Sequence, residues 1–211
     1  MNKITNLKTK SNLLEIAITY WIKSKCKSIQ NLKVNLAGIS LSLFNYQFSS
    51  IDLNAENIIF KNLDFKSIKL IAEDVSLKLN LMAVNNNKIK IKKEFNITSE
   101  IVLASNHLQK IILKNEFSWL QTWMKSKFLL LPKLTSINIC NNLIKIQSES
   151  KPETNSQENL FDLKTKQGKL IIKEIKSSRE EYLPMDKSIF FNKVFLKNQL
   201  LTVKISSTVK P

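Results

Sequence analysis

Glycine, histidine and arginine are almost missing from this chain of 211 residues. It contains 2 glycines, Gly38 and Gly168, and 1 histidine, His107, while Arg179 is the single arginine. Phosphate-cradling loops need several glycines close together, so nucleotide-binding loops of that type are excluded. A serine or cysteine triad would have to be built on His107, and a metal site with several histidines is impossible.

Cysteine is also scarce, since Cys26 and Cys140 are the only two and lie far apart in the sequence. No CxxC pair exists, which excludes zinc ribbons and thioredoxin-type redox motifs. A chain of this size does not need a disulfide to hold its core together. We therefore expect buried thiols, with a single disulfide as the alternative.

Long apolar runs are absent. The run from Phe128 to Leu131 ends at Pro132, far short of the ~18 residues of a membrane-spanning helix. Residues 1–10 are polar and basic, and charged residues interrupt the stretch that follows, so it makes a poor signal-peptide core. We therefore expect a cytoplasmic or peripheral membrane protein, without a signal peptide or a transmembrane span.

Positive charge is abundant. Lysine and arginine total 33 against 17 acidic residues, so the net charge is +16, and this charge attracts anionic surfaces. Apolar residues make up 43% of the chain, enough for a sizeable core, and we expect a single domain over residues 1–211. Residues 1–11 are predicted to be a flexible N-terminus. Residues 148–159 lack any large apolar side chain and are predicted to be a mobile loop.

Two amphipathic helices are predicted, over residues 12–29 and 106–127. Asn12 and Glu15 fit a capping box for the first, and Ser105 or Asn106 can cap the second. Apolar residues recur at helical spacing in both. The first stripe is Leu14, Ala17, Ile18, Trp21, Ile22, Cys26 and Ile29, and the second is Leu108, Ile111, Ile112, Trp119, Leu120 and Trp123.

Most of the remaining chain alternates apolar and polar residues with a period of two. This pattern predicts five or six antiparallel strands over residues 31–104, with a turn at Gly38 and another at Asn85–Asn87. Further strands are predicted at 137–139, 143–146, 160–165, 170–175, 189–196 and 200–206, the last two joined by Asn198 and Gln199. The expected fold class is α+β with a dominant antiparallel sheet.

Catalytic groups are sparse. His107 stands at a helix start, where a solvated surface histidine is expected. The adjacent carboxylates Glu73–Asp74 and Glu180–Glu181 would point to opposite faces of a strand and make poor acid–base pairs. We therefore expect no enzyme activity, no metal site and no cofactor.

Lipid is the ligand class that the pattern favours. Strands around amphipathic helices can leave an apolar groove for acyl chains, while lysine ammonium groups reach phosphate headgroups. Tryptophan suits such a polar–apolar boundary, although tryptophan in a helix stripe also fits a plain core. The candidate lipid-binding residues are Ile18, Trp21, Ile22, Ile111, Trp119, Trp123, Leu183 and Met185, and the candidate headgroup residues are Lys23, Lys25 and Lys27.

The order of short motifs resembles the LmeA-like phospholipid-binding proteins, in the form found in photosynthetic bacteria. The likeness runs from about residue 12 to residue 209. The motifs are Trp21–Cys26, Leu32–Gly38, Val75–Leu81, Leu103–Leu108, Trp119–Trp123 and Leu183–Asp186. The resemblance implies a lipid-binding module without catalytic chemistry. It also implies a tubular lipid-binding architecture, in which a strongly curved, mostly antiparallel sheet wraps on helices.

Three hypotheses for function follow. The first is non-catalytic binding of phospholipid, with anionic headgroups preferred, at or from a membrane, including lipid transfer or membrane maintenance. The second is an interaction or scaffold protein with a filled core, recruited to an acidic partner. The third is nucleic-acid binding, which the even spread of lysines and the near absence of arginine disfavour.

Overall fold

The structure is a computed structural model that describes residues 2–42, 45–79, 89–130, 133–149 and 156–211. It is mostly antiparallel β-sheet with a few helices, so the predicted α+β class is confirmed. The helices are α1 (Asn2–Lys25), α2 (Ser105–Leu113) and α3 (Ser118–Phe128). The strands are β1 (Ser28–Ala37), β2 (Ser40–Ser42), β3 (Asn45–Phe60), β4 (Leu63–Leu79), β5 (Ile89–Ile91), β6 (Phe95–Ala104), β7 (Lys133–Cys140), β8 (Leu143–Glu149), β9 (Gln157–Lys166), β10 (Lys169–Glu174), β11 (Glu180–Tyr182), β12 (Ile189–Lys197) and β13 (Leu200–Val209).

The chain divides into two compact units, each of which combines segments that are distant in sequence. The first unit consists of Met1–Asn62, Ser67–Glu100 and Ser206–Pro211, and the second of Leu63–Lys66 and Ile101–Ile205. Strands β4, β6 and β13 contribute residues to both units. The single domain expected from the sequence stays a prediction.

The first unit contains α1 and strands β1 to β6, with the end of β13. Its sheet follows the order β1-β3-β4-β6-β13, with β2 paired to β3 and β5 paired to β4. Phe48, Ala72 and Val75 form a small buried core, against which half-buried Leu14 of α1 packs. Strand β1 is the last strand in this order, and α1 lies against it.

The second unit contains a five-stranded antiparallel meander in the order β11-β10-β9-β8-β7, together with α2, α3 and β12. Alternate side chains of the meander strands point into its core, as the period of two predicts. The largest fully buried side chains are Phe161 and Ile146, both 0% exposed. Phe128 of α3 meets the Phe161 ring edge-on at a centroid distance of 5.0 Å. The meander core therefore also anchors α3.

Asparagine replaces the scarce glycine in the tight turns. Two-residue hairpins join four strand pairs, and both turn residues have positive φ, as a type I′ turn requires. The turn residues are Lys61–Asn62, Asn141–Asn142, Gln167–Gly168 and Asn198–Gln199. The predicted turn at Asn198–Gln199 is confirmed. Gly38 has φ +58°, and a Cβ there would approach Ser49 Oγ to 2.2 Å, which explains a glycine at that position.

The first predicted helix has different bounds in the structure. It begins at Asn2, so the segment expected to be flexible is helical from residue 2, and it ends at Lys25, so Ile29 belongs to β1. Glu15 forms no capping box at Asn12, because both residues lie inside the helix. Its Oε1 instead accepts a hydrogen bond from the Leu36 N–H of β1 at 3.1 Å.

The second predicted helix is interrupted. Lys114 has extended backbone angles, φ −82° and ψ 139°, and a 3-10 turn at Asn115–Phe117 separates α2 from α3. The Gln121 side chain of α3 donates a hydrogen bond to the Ile112 carbonyl, one of the oxygens left without a helical partner at the end of α2. Neither Ser105 nor Asn106 caps α2. The Ser105 hydroxyl accepts a hydrogen bond from Ile139 N–H at 2.9 Å instead.

The structure also differs from the predictions for the two cysteines and for the loop after β8. Both cysteines are free, but Cys140 is exposed and Cys26 half-buried, so the prediction of buried thiols is wrong for Cys140. The loop predicted over residues 148–159 is shorter, because β8 extends to Glu149 and β9 begins at Gln157. Residues 150–155 lie outside the described residues, as does the turn predicted at Asn85–Asn87.

Candidate functional site

Helix α1 carries apolar residues on two faces, although the sequence pattern predicts a single stripe. Leu14, Ile18 and Ile22, four residues apart, are half-buried. The adjoining side of the helix, which we call the outer face of α1, is formed by Leu13, Ile16, Ala17, Tyr20 and Trp21. Their spacing is that of one helical face. The predicted stripe was wrong on this point, because Ala17 and Trp21 lie on the exposed side.

The outer face of α1 is unusually apolar for a surface. Leu13 is 62% exposed, Ile16 52%, Tyr20 71% and Trp21 53%. Single exposed apolar residues are ordinary, but four large ones on one helix face form a continuous apolar patch. Such a patch is typical of a surface that contacts a membrane or another molecule.

Three lysines follow this face in the chain. Lys23 and Lys25 lie in the last turn of α1, and Lys27 precedes β1; all three are exposed. Cations are favourable at a helix C-terminus, so these lysines also suit the end of α1. The Ser24 hydroxyl donates to the Trp21 carbonyl at 2.7 Å within the same turn. The predicted headgroup residues are thus exposed beside an exposed tryptophan.

The other predicted lipid-binding residues lie in the second unit and differ in exposure. Trp123 and Leu183 are partly buried and pack against the core of that unit. Trp123 also meets Phe128 edge-on at 5.9 Å between ring centroids, a core contact. Trp119 and Met185 are 44% and 41% exposed, and Ile111 is half-buried. The candidate lipid-binding role of these five residues stays a prediction.

A polar cavity in the first unit was not predicted. It has a volume of about 380 Å³ and is lined by Ser40, Asn45, Gln47, Ser76, Lys92 and Lys93. Sequence reasoning missed it, because each of these residues belongs to an ordinary alternating strand or its flank. The signal that was available is the density of lysines around β5, where residues 90, 92 and 93 are all lysine.

An ion pair in the second unit lies near His107, the single histidine. Lys110 Nζ of α2 lies 2.6 Å from Asp64 Oδ2 of β4, and this contact holds the pKa of the Asp64 carboxyl below its ordinary value of 3.8. His107 is half-buried, not fully solvated as expected, and burial lowers its pKa from 6.5. Its Nδ1 accepts a long hydrogen bond, 3.4 Å, from the Ala104 N–H, which requires an unprotonated Nδ1.

The Asp64 carboxylate should make the folded protein less stable as the pH falls into the acid range. Its pKa is lower in the folded than in the unfolded chain, so its contribution is present above about pH 3.8 and is lost as the pH falls through the folded value. The Asp64→Asn variant should therefore be less stable at neutral pH, by at most about 1 kcal/mol, because solvent screens the exposed Lys110. Thermal unfolding at a series of pH values measures the difference in stability between this variant and the wild-type protein. We expect the difference to disappear in acid.

Exposed Glu94 provides the control for this experiment. The Glu94→Gln variant should follow the wild-type protein across the whole pH range, since no ion pair of Glu94 with another described residue is present. A gap between Asp64→Asn and wild type that stays constant from neutral to acid pH would contradict the ion-pair explanation.

Among the described residues, no three histidine, cysteine, aspartate or glutamate side chains lie close enough to share a metal ion. In the same part of the chain, no helix combines the length and apolar composition needed to cross a membrane.

No family model, curated protein or solved structure matches the chain. The resemblance to LmeA-like proteins therefore stays a prediction.

Proposed function

We propose that this protein binds phospholipid without catalysis, as a peripheral protein on an anionic membrane surface. In this proposal the outer face of α1 enters the boundary between headgroups and acyl chains, and Lys23, Lys25 and Lys27 meet lipid phosphates. The observation that carries the proposal is the exposure of Leu13, Ile16, Tyr20 and Trp21, between 52% and 71%, on one face beside exposed lysines.

The chemistry of an interfacial helix supports this assignment. Helices that lie in a membrane surface combine aromatic and aliphatic residues on one face with lysines at its border. Tryptophan and tyrosine favour the headgroup region, because their rings are apolar and their N–H and O–H groups remain wet. The net charge of +16 adds a general attraction to anionic lipid.

The finer architecture belongs to the same proposal. We infer a tubular lipid-binding arrangement, with a curved antiparallel sheet wrapped on helices, from the LmeA-like resemblance. The described residues that line the cavity of the first unit are polar or charged, so acyl contact is assigned to the outer face of α1 and not to that cavity. Transfer of lipid between membranes, or membrane maintenance, would use the same docking step.

One observation favours the alternative of an interaction protein recruited to an acidic partner. The second unit has a filled core, in which Phe161 and Ile146 are 0% exposed. A filled core is what the partner hypothesis expects, and the outer face of α1 would then cover an apolar patch on that partner. The two hypotheses differ in whether lipid alone is enough for binding.

Sedimentation with vesicles tests the proposal. The purified protein is mixed with vesicles of phosphatidylcholine alone, or of equal parts phosphatidylcholine and phosphatidylglycerol, at low and high salt. We expect stronger binding to the anionic vesicles. We also expect a loss at high salt, because the screening length falls from about 10 Å at 0.1 M to about 3 Å at 1 M.

Two outcomes would contradict the proposal. Equal binding to neutral and anionic vesicles would contradict the role that the proposal gives to the lysines in recognising anionic headgroups. Failure to bind either vesicle at low salt would reject membrane docking and leave the acidic protein partner as the better account of the outer face of α1.

A further inference from the structure

The polar cavity of the first unit is built from three parts of the chain. The β2–β3 hairpin supplies Ser40, Asn45 and Gln47; β4 supplies Ser76; and the residues directly after β5 supply Lys92 and Lys93. Each of these described lining residues carries a hydrogen-bonding or cationic group. Protein sites that fix a polar ligand use convergent groups of this kind.

Strand register places these side chains together. Ser40 pairs with Gln47, and Ser42 pairs with Asn45, so Gln47 and Asn45 share the face on which Ser40 lies. On the other side, Lys92 N–H donates to the Ser76 carbonyl at 2.9 Å, which holds the residues after β5 beside β4. The backbone thus holds the lining residues in place.

Two lining residues contribute buried polar groups, and one of these groups has no hydrogen-bond partner among the described residues. Ser76 is 5% exposed, and Asn45 Oδ1 is buried with no hydrogen-bond partner in the described part of the chain. A buried polar atom without a partner lowers stability. The amide of Asn45 can present its oxygen or, turned by 180°, its NH₂ group, so a ligand in the cavity can satisfy it in either orientation.

Positive charge is concentrated beside the cavity and is not neutralised. Lys78 of β4 lies directly opposite Lys90 of β5, and Lys92 continues the same face. Like charges opposite each other destabilise a strand pair. Within the described residues, no carboxylate forms an ion pair with Lys78, Lys90, Lys92 or Lys93. An anion among these lysines would remove the repulsion.

From these observations we propose that the cavity binds a phosphate group, held by Lys92 and Lys93 and by the hydroxyl and amide groups of Ser40, Ser76, Asn45 and Gln47. Lysine is a common phosphate ligand in proteins. The volume of about 380 Å³ admits an esterified phosphate as well as inorganic phosphate. This site goes beyond the proposed function, because none of the described lining residues belongs to α1.

Calorimetric titration with two soluble probes tests the site without any membrane. The probes are inorganic phosphate and glycerophosphoglycerol, which is the headgroup of phosphatidylglycerol without acyl chains. Binding of inorganic phosphate indicates a free-phosphate site, whereas binding of glycerophosphoglycerol alone indicates a lipid headgroup site. Either result supports the proposal, and neither depends on docking through α1.

Two variants and a matched control locate the binding. Lys92→Gln/Lys93→Gln should weaken binding of the probe by ~10-fold or more, because two charge-assisted contacts are lost. Asn45→Asp places a carboxylate in the cavity and should abolish binding. Lys187→Gln/Lys197→Gln removes the same charge from exposed sites in the second unit and should leave binding unchanged.

Three results would overturn the proposal. The first is that neither probe binds the wild-type protein. The second is that the control variant weakens binding as much as Lys92→Gln/Lys93→Gln does, which would mean a general effect of net charge. The third is wild-type affinity in a folded Asn45→Asp variant. Because the probes lack acyl chains, each of these results leaves membrane docking through α1 to be judged separately.

Discussion

The Tyr20→Ser/Trp21→Ser variant should bind anionic vesicles about 30-fold more weakly than the wild-type protein. The two rings are 71% and 53% exposed on the outer face of α1, so docking would remove this area from water. If each partly buried ring contributes about 1 kcal/mol, their loss costs about 2 kcal/mol, which corresponds to that fold-change. Sedimentation titration with equal parts phosphatidylcholine and phosphatidylglycerol measures it.

Tyr182 and Phe195 provide the matched control. They are exposed aromatic residues on strands of the second unit, 47% and 37% exposed, so Tyr182→Ser/Phe195→Ser removes similar rings from a different surface. The control should bind as the wild-type protein does. If the two double variants lose binding equally, or if neither loses it, the outer face of α1 is not the docking surface. Circular dichroism checks that both variants are folded.

Removal of the Phe161 ring should have the largest effect on stability. Phe161 is 0% exposed and meets the Phe128 ring edge-on at 5.0 Å, so Phe161→Ala leaves a cavity in the main core. We expect the free energy of unfolding to fall by about 3–5 kcal/mol. That is a large share of the ~5–15 kcal/mol that stabilises an ordinary protein. Urea unfolding followed by circular dichroism measures the change.

A graded series keeps this prediction testable even if Phe161→Ala does not fold. Phe161→Leu retains much of the side-chain volume and should cost less than Phe161→Ala, about 1.5 kcal/mol or less. Phe195→Ala at an exposed site should cost less than about 1 kcal/mol. Equal losses for Phe161→Leu and Phe195→Ala, together with a stable Phe161→Ala protein, would contradict the central role given to Phe161.

Many of the strands were predictable, because the alternation of apolar and polar residues depends only on neighbours along the chain. Alternate residues of β8 and β9 are buried, and the buried set includes the apolar Ile144, Ile146, Phe161 and Leu163 together with Ser148 and Asn159. Hairpin turns were partly predictable as well, since asparagine tolerates positive φ, as at Asn198. The short strand β11 was missed, because Glu180–Tyr182 has no alternating apolar pattern.

The helices were less predictable. The apolar stripe of residues 106–127 predicted a continuous helix, but the backbone leaves the helical region at Lys114 and forms a 3-10 turn at Asn115–Phe117. Helix α1 also begins ten residues earlier than predicted, at Asn2 instead of Asn12. Helical periodicity locates a central segment of a helix, but it does not fix the residues at which the helix begins and ends.

The candidate sites depended most on tertiary structure. Trp21 and Trp123 both belong to helical stripes in the sequence, yet Trp21 is exposed and Trp123 packs against a core. Periodicity shows that apolar residues share a helix face, but it does not show whether another element covers that face. Trp21 and the three lysines that follow it were therefore predicted as candidates from the sequence, whereas Leu13, Ile16 and Tyr20 were not.

By itself, the sequence determined the α+β class, most of the strands, the hairpin turn at Asn198–Gln199 and the strong positive charge. These features depend on residue type and on neighbours close along the chain. Only the tertiary structure decided which side of α1 is exposed and that Ser40, Asn45, Ser76 and Lys92 line one cavity. The physical reason is that exposure and cavity lining depend on contacts between segments far apart in the sequence, and one sequence carries no local signal of such contacts.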